Sequence, residues 1–432
     1  MKKIGIDIGG TFTDLVLTDG DTSITLKVPS TPDDPSAAAI RALQQVQEQY
    51  GVDLRTVEAL AHGTTVATNA LIQRRGGKTA LITTAGFRDV LEIGRLGRPP
   101  QAIYDAHYQR PEPFIPRPLR LEVHERVNYR GEVAQPLQVE EVRALAERLR
   151  DIQVDSVAVC LLYSFLYPAH EQLVKEVLDD TLPGVPVLCS CDILPERREY
   201  ERTSTTALSA YLAPTVTHYF EHLVAQVKTL GLERQLYIMQ SNGGLNTPQT
   251  AAANPGSLLL SGPAAGVVAA AEIGVRAGFP NLVSMDMGGT SFDVALIQDG
   301  GCLLSTETRL EEAAFNLPML DIKTIGAGGG SIAWLDNAGK LHVGPHSAGA
   351  QPGPACYGQG GTAPTVTDAN VLLGLLNPDN FLGGAMRINP LLAERAVREQ
   401  VDSTTLIPPG WVGTVDDYGN VILGQEEWHS HA

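Results

Sequence analysis

One pattern occurs twice in this chain: DIGGTFTDLVL starting at Asp7, and DMGGTSFDVAL starting at Asp286. Both copies read Asp-x-Gly-Gly-Thr-x-x-Asp followed by an apolar run, and a short apolar stretch precedes each, at residues 3–6 and 282–285. Apolar stretch, Gly-Gly turn, apolar stretch predicts a strand–turn–strand hairpin. The paired glycines (Gly9 and Gly10, Gly288 and Gly289) let the turn backbone come close to an anion. Thr11 and Thr290 add hydroxyl donors, and Asp7 and Asp286 can hold a hydrated Mg²⁺ beside phosphates. Such a tip suits a nucleoside triphosphate. Two near-identical tips a domain's length apart predict two related lobes, and a chain of 432 residues is long for a single core.

Composition narrows the partners. With 43% hydrophobic and 19% charged residues the chain is globular. A net charge of −17 argues against a nucleic-acid surface or an anionic membrane as its main partner. Five scattered cysteines, no leader pattern at Met1 and no apolar run of bilayer-spanning length predict a reduced, cytoplasmic protein. Cys189 and Cys191 lie too close together, without further Cys or His nearby, for a zinc site.

Along the chain, residues 22–28 read as a third strand, and Ile40, Leu43 and Val46 as one face of a helix. Residues 59–71 run from a strand through a small, polar turn into a helix. His62, Thr64, Thr65 and Asn69 therefore fall near a helix N-terminus, where they line an active cleft or, for His62, cap the helix or satisfy a buried loop. Residues 77–84 read as a strand, and residues 98–120 as an ordered irregular loop whose Arg110, with Arg88, Arg95 and His107, can meet a carboxylate or lactam. Residues 139–150 read as a helix, and 156–166 as a strand buried on both faces. The texture changes at residues 183–195, placing a lobe boundary there, and a helix rich in charge and hydroxyls follows. Residues 257–260 read as a strand and 267–277 as a helix. Glycine density at residues 326–331 signals close backbone approach, to a ligand or to the partner lobe, with Gly326, Gly328 and Gly329 as cofactor-binding candidates. Residues 365–370 start a helix capped by Thr or Asp.

These segments carry a resemblance. IGIDIGGTFTD, AHGTTVATNALIQRRG, GFRDVLEIGR, LPERREYERTSTT, MQSNGGL, LSGPAAGV, DMGGTSFDVAL, TIGAGGGSIAW, SAGAQPGPACYG and PTVTDAN, in that order, resemble the hydantoinase A / 5-oxoprolinase / acetone carboxylase β-subunit family from Lys3 to about Glu399. The resemblance implies an α/β, actin-like ATPase fold with two ribonuclease-H-like lobes around a nucleotide cleft. On that scheme residues 1–190 form the N-terminal lobe, 191–400 a second lobe and 401–432 a β-rich tail. It implies ATP and Mg²⁺ as cofactors and phosphorylation of a cyclic amide or a ketone enolate. It further implies a hydantoinase B-type partner subunit in an oligomer. Asp7 and Asp286 match the metal acids, and Gly9, Gly10, Thr11, Gly288, Gly289 and Thr290 the phosphate cradles. Thr13 joins the cofactor-binding group, and His62 and Asp293 the catalytic one.

The pattern departs from the family after Gln400, where residues 401–420 resemble the family's extreme C-terminus and a long internal segment is missing. The second lobe is then expected to be incomplete. Apolar surface should show at residues 371–376 and 326–331, nucleotide binding should be weak and insensitive to the base, and a partner or self-association should cover the surface. The competing readings are a ketone carboxylase subunit, a small-molecule or sugar kinase of the same superfold, and a catalytically impaired binding subunit.

Overall fold

The apolar stretches around the first Gly-Gly turn form β1 (Lys2–Ile8) and β2 (Phe12–Asp19), paired antiparallel with Asp7 opposite Asp14. The computed structural model describes residues 1–9, 12–20, 22–31, 34–98, 102–232, 234–289, 291–310, 313–336, 339–349, 351–381, 384, 386–401, 411–415 and 421–425. Gly10, Thr11 and Thr290 lie outside the described residues.

The chain is a mixed α/β fold that divides into two compact units: Met1–Asp286 with Asp293–Thr324, and Met287–Phe292 with Ile325–Ala432. In the first unit β3 (Thr22–Pro29) extends the hairpin, and α1 (Pro35–Tyr50) leads to β4 (Val57–Thr64), parallel to β1. Helix α1 starts where sequence chemistry demands it. Asp34 caps its N-terminus by accepting from Ser36 N at 3.1 Å, Pro35 occupies the first turn, and Gly51 ends it in the left-handed region at φ 63°.

After α2 (Val66–Ile72) come β5 (Thr79–Thr84), β6 (Arg120–Val123), α3 (Val139–Asp151), β7 (Ser156–Cys160), α4 (Ala169–Thr181) and β8 (Val187–Cys189). The four strands make a parallel sheet in the order β8-β7-β5-β6. Strand β7 is buried throughout, as a two-sided strand must be, but it ends at Cys160 and residues beyond it turn away.

Helix α5 (Glu199–Thr229) then crosses the unit for about 46 Å. It packs into the same core as β1, β2 and β4, so the texture change at residues 183–195 is not where compactness divides. The hydroxyls of this stretch are buried: Thr203, Ser204, Thr205, Thr206 and Ser209. Several have partners. Thr203 Oγ1 donates to Cys160 Sγ at 3.0 Å, Thr206 Oγ1 to Arg202 O at 2.8 Å, and Thr205 Oγ1 accepts from Asn316 N at 3.1 Å.

Strands β9 (Leu236–Met239) and β10 (Leu245–Asn246) complete the first sheet, in the order β10-β9-β4-β1-β2-β3. The strand expected at residues 257–260 is instead a short 3-10 turn, Pro255–Leu258, because proline opens it and Ser257 caps back onto Asn254 O. Helix α6 (Ser261–Arg276) begins six residues earlier than its apolar periodicity suggests, immediately after Leu260 at φ 60°. The second copy of the repeat forms β11 (Leu282–Met287) and β12 (Phe292–Gln298), with β13 (Gly301–Cys302) and β14 (Ile322–Ile325) also in that sheet.

In the second unit, β15 (Ser331–Leu335) pairs with β16 (Leu341–Ser347), and α7 (Val366–Leu372) packs near α8 (Pro390–Val401) over Cys356, Val371 and Ile388. The helix start expected at residues 365–370 is capped by Thr365, and Asp368 completes a reciprocal capping box with it. Asp368 also accepts from Cys356 N at 2.7 Å and Ala355 N at 3.2 Å, which ties the helix to the Gly/Pro-rich loop before it. Apolar surface shows at Leu373 (70% exposed) and Leu375 (71%), while Val371 is buried. The 326–331 loop is largely covered, with Gly328, Gly330 and Ser331 buried.

Candidate functional site

Asp7 is held at the end of β1 between two strands, opposite Asp14 on β2 and beside Gly63 on β4. Side chains directly opposite in a sheet are close neighbours, and like charges there are destabilising. The Asp7 Oδ1 atom is buried and has no hydrogen-bond partner among the described residues. It sits in a wedge made by two glycines. A Cβ on Gly63 would lie 2.8 Å from this oxygen, and a Cβ on Gly262, in the first turn of α6, 3.0 Å from it. Burial, then repulsion from Asp14 and Asp286, push its carboxyl up from 3.8 to about 6.

A buried, unpartnered carboxylate oxygen among further acids has the donor chemistry of a hard divalent cation site. The residues present fit Mg²⁺. Asp286, at the equivalent position of the second copy, is exposed and close enough to raise both Asp7 and Asp293. Asp293 is half-buried and accepts from Thr324 Oγ1 at 2.6 Å; burial is the main reason its carboxyl is pushed up.

The two turns close in the same way. Gly9 N donates to Phe12 O at 3.0 Å, and Gly288 N to Ser291 O at 2.9 Å, at matching positions of the repeat. These two amides are therefore engaged within their turns. Thr13 is buried, with its hydroxyl 3.0 Å from Ser30 Oγ, which in turn donates to Gly9 O at 2.8 Å, so Thr13 braces the first turn from behind.

The glycine-dense loop has a structural account within its own unit. Gly329 N donates to Gly288 O at 2.8 Å and Gly330 N to Gly289 O at 2.6 Å, while Gly328 N donates to Ser331 Oγ at 2.8 Å. A Cβ on Gly330 would lie 2.8 Å from Gly289 O, and one on Gly329 2.8 Å from Thr367 Oγ1. The glycines thus admit backbone against backbone. The amides of Gly328 and Gly329 are occupied here rather than turned toward a ligand, and Gly326 is exposed.

His62 does not line a cleft. Its ring is 1% exposed, with Nε2 2.7 Å from Tyr219 Oη on α5 and Nδ1 3.3 Å from Ile6 O. Both nitrogens are engaged, so the imidazole ties β4 and β1 to α5. Burial pulls its pKa down from 6.5 to about 4, leaving it neutral at pH 7. A depressed folded pKa contributes stability that is present above pH 6.5 and lost as the pH falls through 4. The full loss is roughly 3 kcal/mol. Denaturant titrations of the wild type and His62→Phe at pH 7 and pH 4 should show this component only in the wild type. An identical pH dependence in both would refute the assignment.

The wedge glycines Gly63 and Gly262, and Asp14, were legible only as members of motifs; only pairing and close approach bring them to Asp7. Elsewhere, Glu171 comes close to Cys189 and Cys191. Its oxygens are already engaged: Oε1 accepts from Leu161 N and Ser190 Oγ, both at 2.7 Å, and Oε2 from Cys191 N at 2.8 Å. This trio is structural. Arg95, also a candidate for substrate, forms a bidentate pair with Glu201 at 2.8 and 2.6 Å. Among the described residues, no helix is long and apolar enough to cross a membrane.

Residues 3–182 match the hydantoinase/oxoprolinase N-terminal region and residues 202–408 match hydantoinase/oxoprolinase. Caprolactamase subunit alpha from Pseudomonas jessenii is 40% identical over 405 residues, covering 92% of this chain and 58% of that protein. The acetophenone carboxylase gamma subunit from Aromatoleum aromaticum is 37% identical over 423 residues, covering 93% of this chain and 57% of the relative. The crystal structure of the ATP-dependent caprolactamase from P. jessenii superposes with a TM-score of 0.80 at 39% identity, over 92% of this chain and 58% of that one. The chain therefore spans a little under three fifths of the length of these relatives. Two matched regions that together cover most of its length, in the order the motifs run, place the chain in the hydantoinase/oxoprolinase family.

Proposed function

We propose that this chain is the ATP-dependent subunit of a hydantoinase/oxoprolinase-type enzyme, built on an actin-like ATPase fold, which phosphorylates a cyclic amide to drive ring opening. The observation that carries this reading is the buried Asp7 oxygen without a partner, wedged between Gly63 and Gly262 and repelled by Asp14 and Asp286. Such a cluster costs stability unless a cation completes it. Asp7 and Asp286 would hold Mg²⁺, which when bound neutralises phosphate charge. The two glycines keep space open beside the carboxylate, and Thr324 fixes Asp293.

The chemistry needs ATP because an unactivated lactam C–N bond is a poor electrophile. The amide oxygen attacks the γ-phosphorus, the bond from that phosphorus to the β–γ bridging oxygen breaks, and its electron pair leaves with ADP. Phosphorylation makes the ring carbon electrophilic: water adds to it, the ring C–N bond breaks as the nitrogen takes up a proton, and the acyl phosphate that remains is hydrolysed to carboxylate and phosphate. A hydantoinase B-type subunit would complete hydrolysis.

The test is magnesium-dependent ADP release by the purified chain, alone and with a co-expressed partner, using caprolactam and other cyclic amides and, separately, a ketone with bicarbonate. Cyclic amides should stimulate release. Asp286→Asn should lower it by about a hundredfold or more and weaken Mn²⁺ binding followed by electron paramagnetic resonance. Stimulation by ketone and bicarbonate alone would replace the lactam reading with a carboxylase one. Turnover and Mn²⁺ binding untouched by Asp286→Asn would overturn the site assignment.

A further inference from the structure

Helix α5 turns two histidines outward on one face. His218 and His222 are both exposed, while Tyr219, Phe220 and Leu223 on the other side of the helix are buried in the core. Positions i and i+4 of a helix are surface neighbours. The two imidazole rings lie nearly parallel, 9° apart, with their centroids separated by 6.5 Å. Histidines at this spacing can each place one nitrogen on a single metal ion, with metal–nitrogen bonds of about 2.1 Å.

A relay fixes which nitrogen of His222 is free. Ser36 Oγ, buried in the first turn of α1, donates to the exposed Asp34 carboxylate at 2.6 Å. With its proton committed to Asp34, the Ser36 oxygen accepts from His222, whose Nδ1 lies 3.0 Å away. The His222 proton therefore sits on Nδ1 and the lone pair on Nε2. Gln226, one turn further along the same face, brings its amide nitrogen to 2.7 Å from Nε2 and donates to that lone pair. A metal-ligating histidine ordinarily donates its other ring N–H to a fixed acceptor, which sets the tautomer and orients the ring. Here that support is already built, from a residue 186 positions away in sequence.

We propose that His218 and His222 form a binding site for a borderline divalent transition-metal ion of the Zn²⁺ or Ni²⁺ kind. Nε2 of His222 and one ring nitrogen of His218 are the protein ligands. Water completes the shell, together with the Gln226 amide oxygen once that amide turns over. Imidazole favours these ions over Mg²⁺, which takes oxygen ligands. The site thus differs in chemistry from the carboxylates around Asp7, and it neither uses nor needs the phosphoryl-transfer reading. A cation on Nε2 strengthens donation from Nδ1 to Ser36, so occupancy tightens the tie between α5 and the start of α1.

The test is calorimetric titration of the purified full chain with Ni²⁺, in excess Mg²⁺ and with the cysteines kept reduced. The wild type is compared with the double variant His218→Ala/His222→Ala, with Ser36→Ala and with Asp7→Asn. Histidines and thiols elsewhere bind alike in all four chains, so the differences isolate this pair. Both histidines are exposed, and their replacement leaves the core intact. The wild type should bind one more equivalent of Ni²⁺ than the double variant, and Ni²⁺ should raise its thermal midpoint further. Ser36→Ala keeps both imidazoles and should bind the ion about tenfold more weakly. Asp7→Asn should bind it as the wild type does. The same stoichiometry in the wild type and the double variant, unchanged affinity in Ser36→Ala, or loss of this equivalent in Asp7→Asn would each overturn the proposal.

Discussion

Asp7→Asn should give a chain that is more stable than the wild type at pH 7.5 and has no metal-dependent phosphoryl transfer. The Asp7 carboxyl is raised from 3.8 to about 6 by burial, Asp14 and Asp286. At neutral pH the folded chain must therefore ionise a group that resists ionisation. A raised folded pKa contributes stability that is fully present below pH 3.8 and lost as the pH rises through 6. By pH 7.5 the penalty relative to the protonated form is on the order of 3 kcal/mol. Asparagine removes the charge at similar volume, but its amide N–H stays poorly satisfied, so the net gain should be about 1–3 kcal/mol. At pH 4 the difference should largely vanish. Mg²⁺ should stabilise the wild type by mass action and not the variant. Denaturant titrations at the two pH values, with and without Mg²⁺, measure all of this. A variant less stable at pH 7.5, or stabilised equally by Mg²⁺, would remove Asp7 from the cation site. Stability given up at a turn-tip carboxylate is what a functional site predicts.

The largest destabilisation is expected from Glu171→Ala, at about 3–5 kcal/mol. Glu171 is 0% exposed on α4, beside the end of the parallel sheet. Its three hydrogen bonds satisfy Leu161 N, Ser190 Oγ and Cys191 N, where the chain leaves β7 and β8. Alanine would strand those donors and deprive the buried Arg202, which donates to Leu161 O at 2.7 Å, of the carboxylate that balances it. Burial itself pushes the Glu171 carboxyl up against these bonds, so the neutral isostere Glu171→Gln should lose much less. Thermal unfolding of the two variants side by side checks this. A Gln variant as damaged as the Ala variant would mean that the charge, rather than the satisfied donors, holds the corner together.

The pH behaviour of the whole chain will conceal both titrating groups near the wedge. Acidification from 6.5 toward 4 removes stability through His62 while Asp7 gains it over nearly the same interval, so the wild-type curve is flatter than either part. Single variants separate them.

The two hairpins were legible because their signal is local: a Gly-Gly turn between apolar runs specifies strand–turn–strand without help from distant residues, and both turns close with the same hydrogen bond. The capped helix start at Thr365 was legible for the same reason. Family membership followed from long ordered motifs. Helix α5 shows the limit. Its charged and hydroxyl-rich start reads as a helix without showing which side chains lie inside; Arg202, Thr203 and Thr205 are buried because partners at Cys160, Leu161 and Asn316 satisfy them from far along the chain. His62 reads either as a cleft residue or as a buried, satisfied one, and its second nitrogen against Tyr219 decides for burial.

By itself the sequence determined where polar turns interrupt apolar runs and which acids stand at their tips. Only tertiary structure decided which groups those tips meet. Asp7 becomes a perturbed, unpartnered carboxylate through β2, β4 and the first turn of α6, elements separated from one another by up to about 240 residues. No local pattern encodes that convergence, since desolvation and like-charge repulsion depend on distances that exist only once the chain has closed on itself.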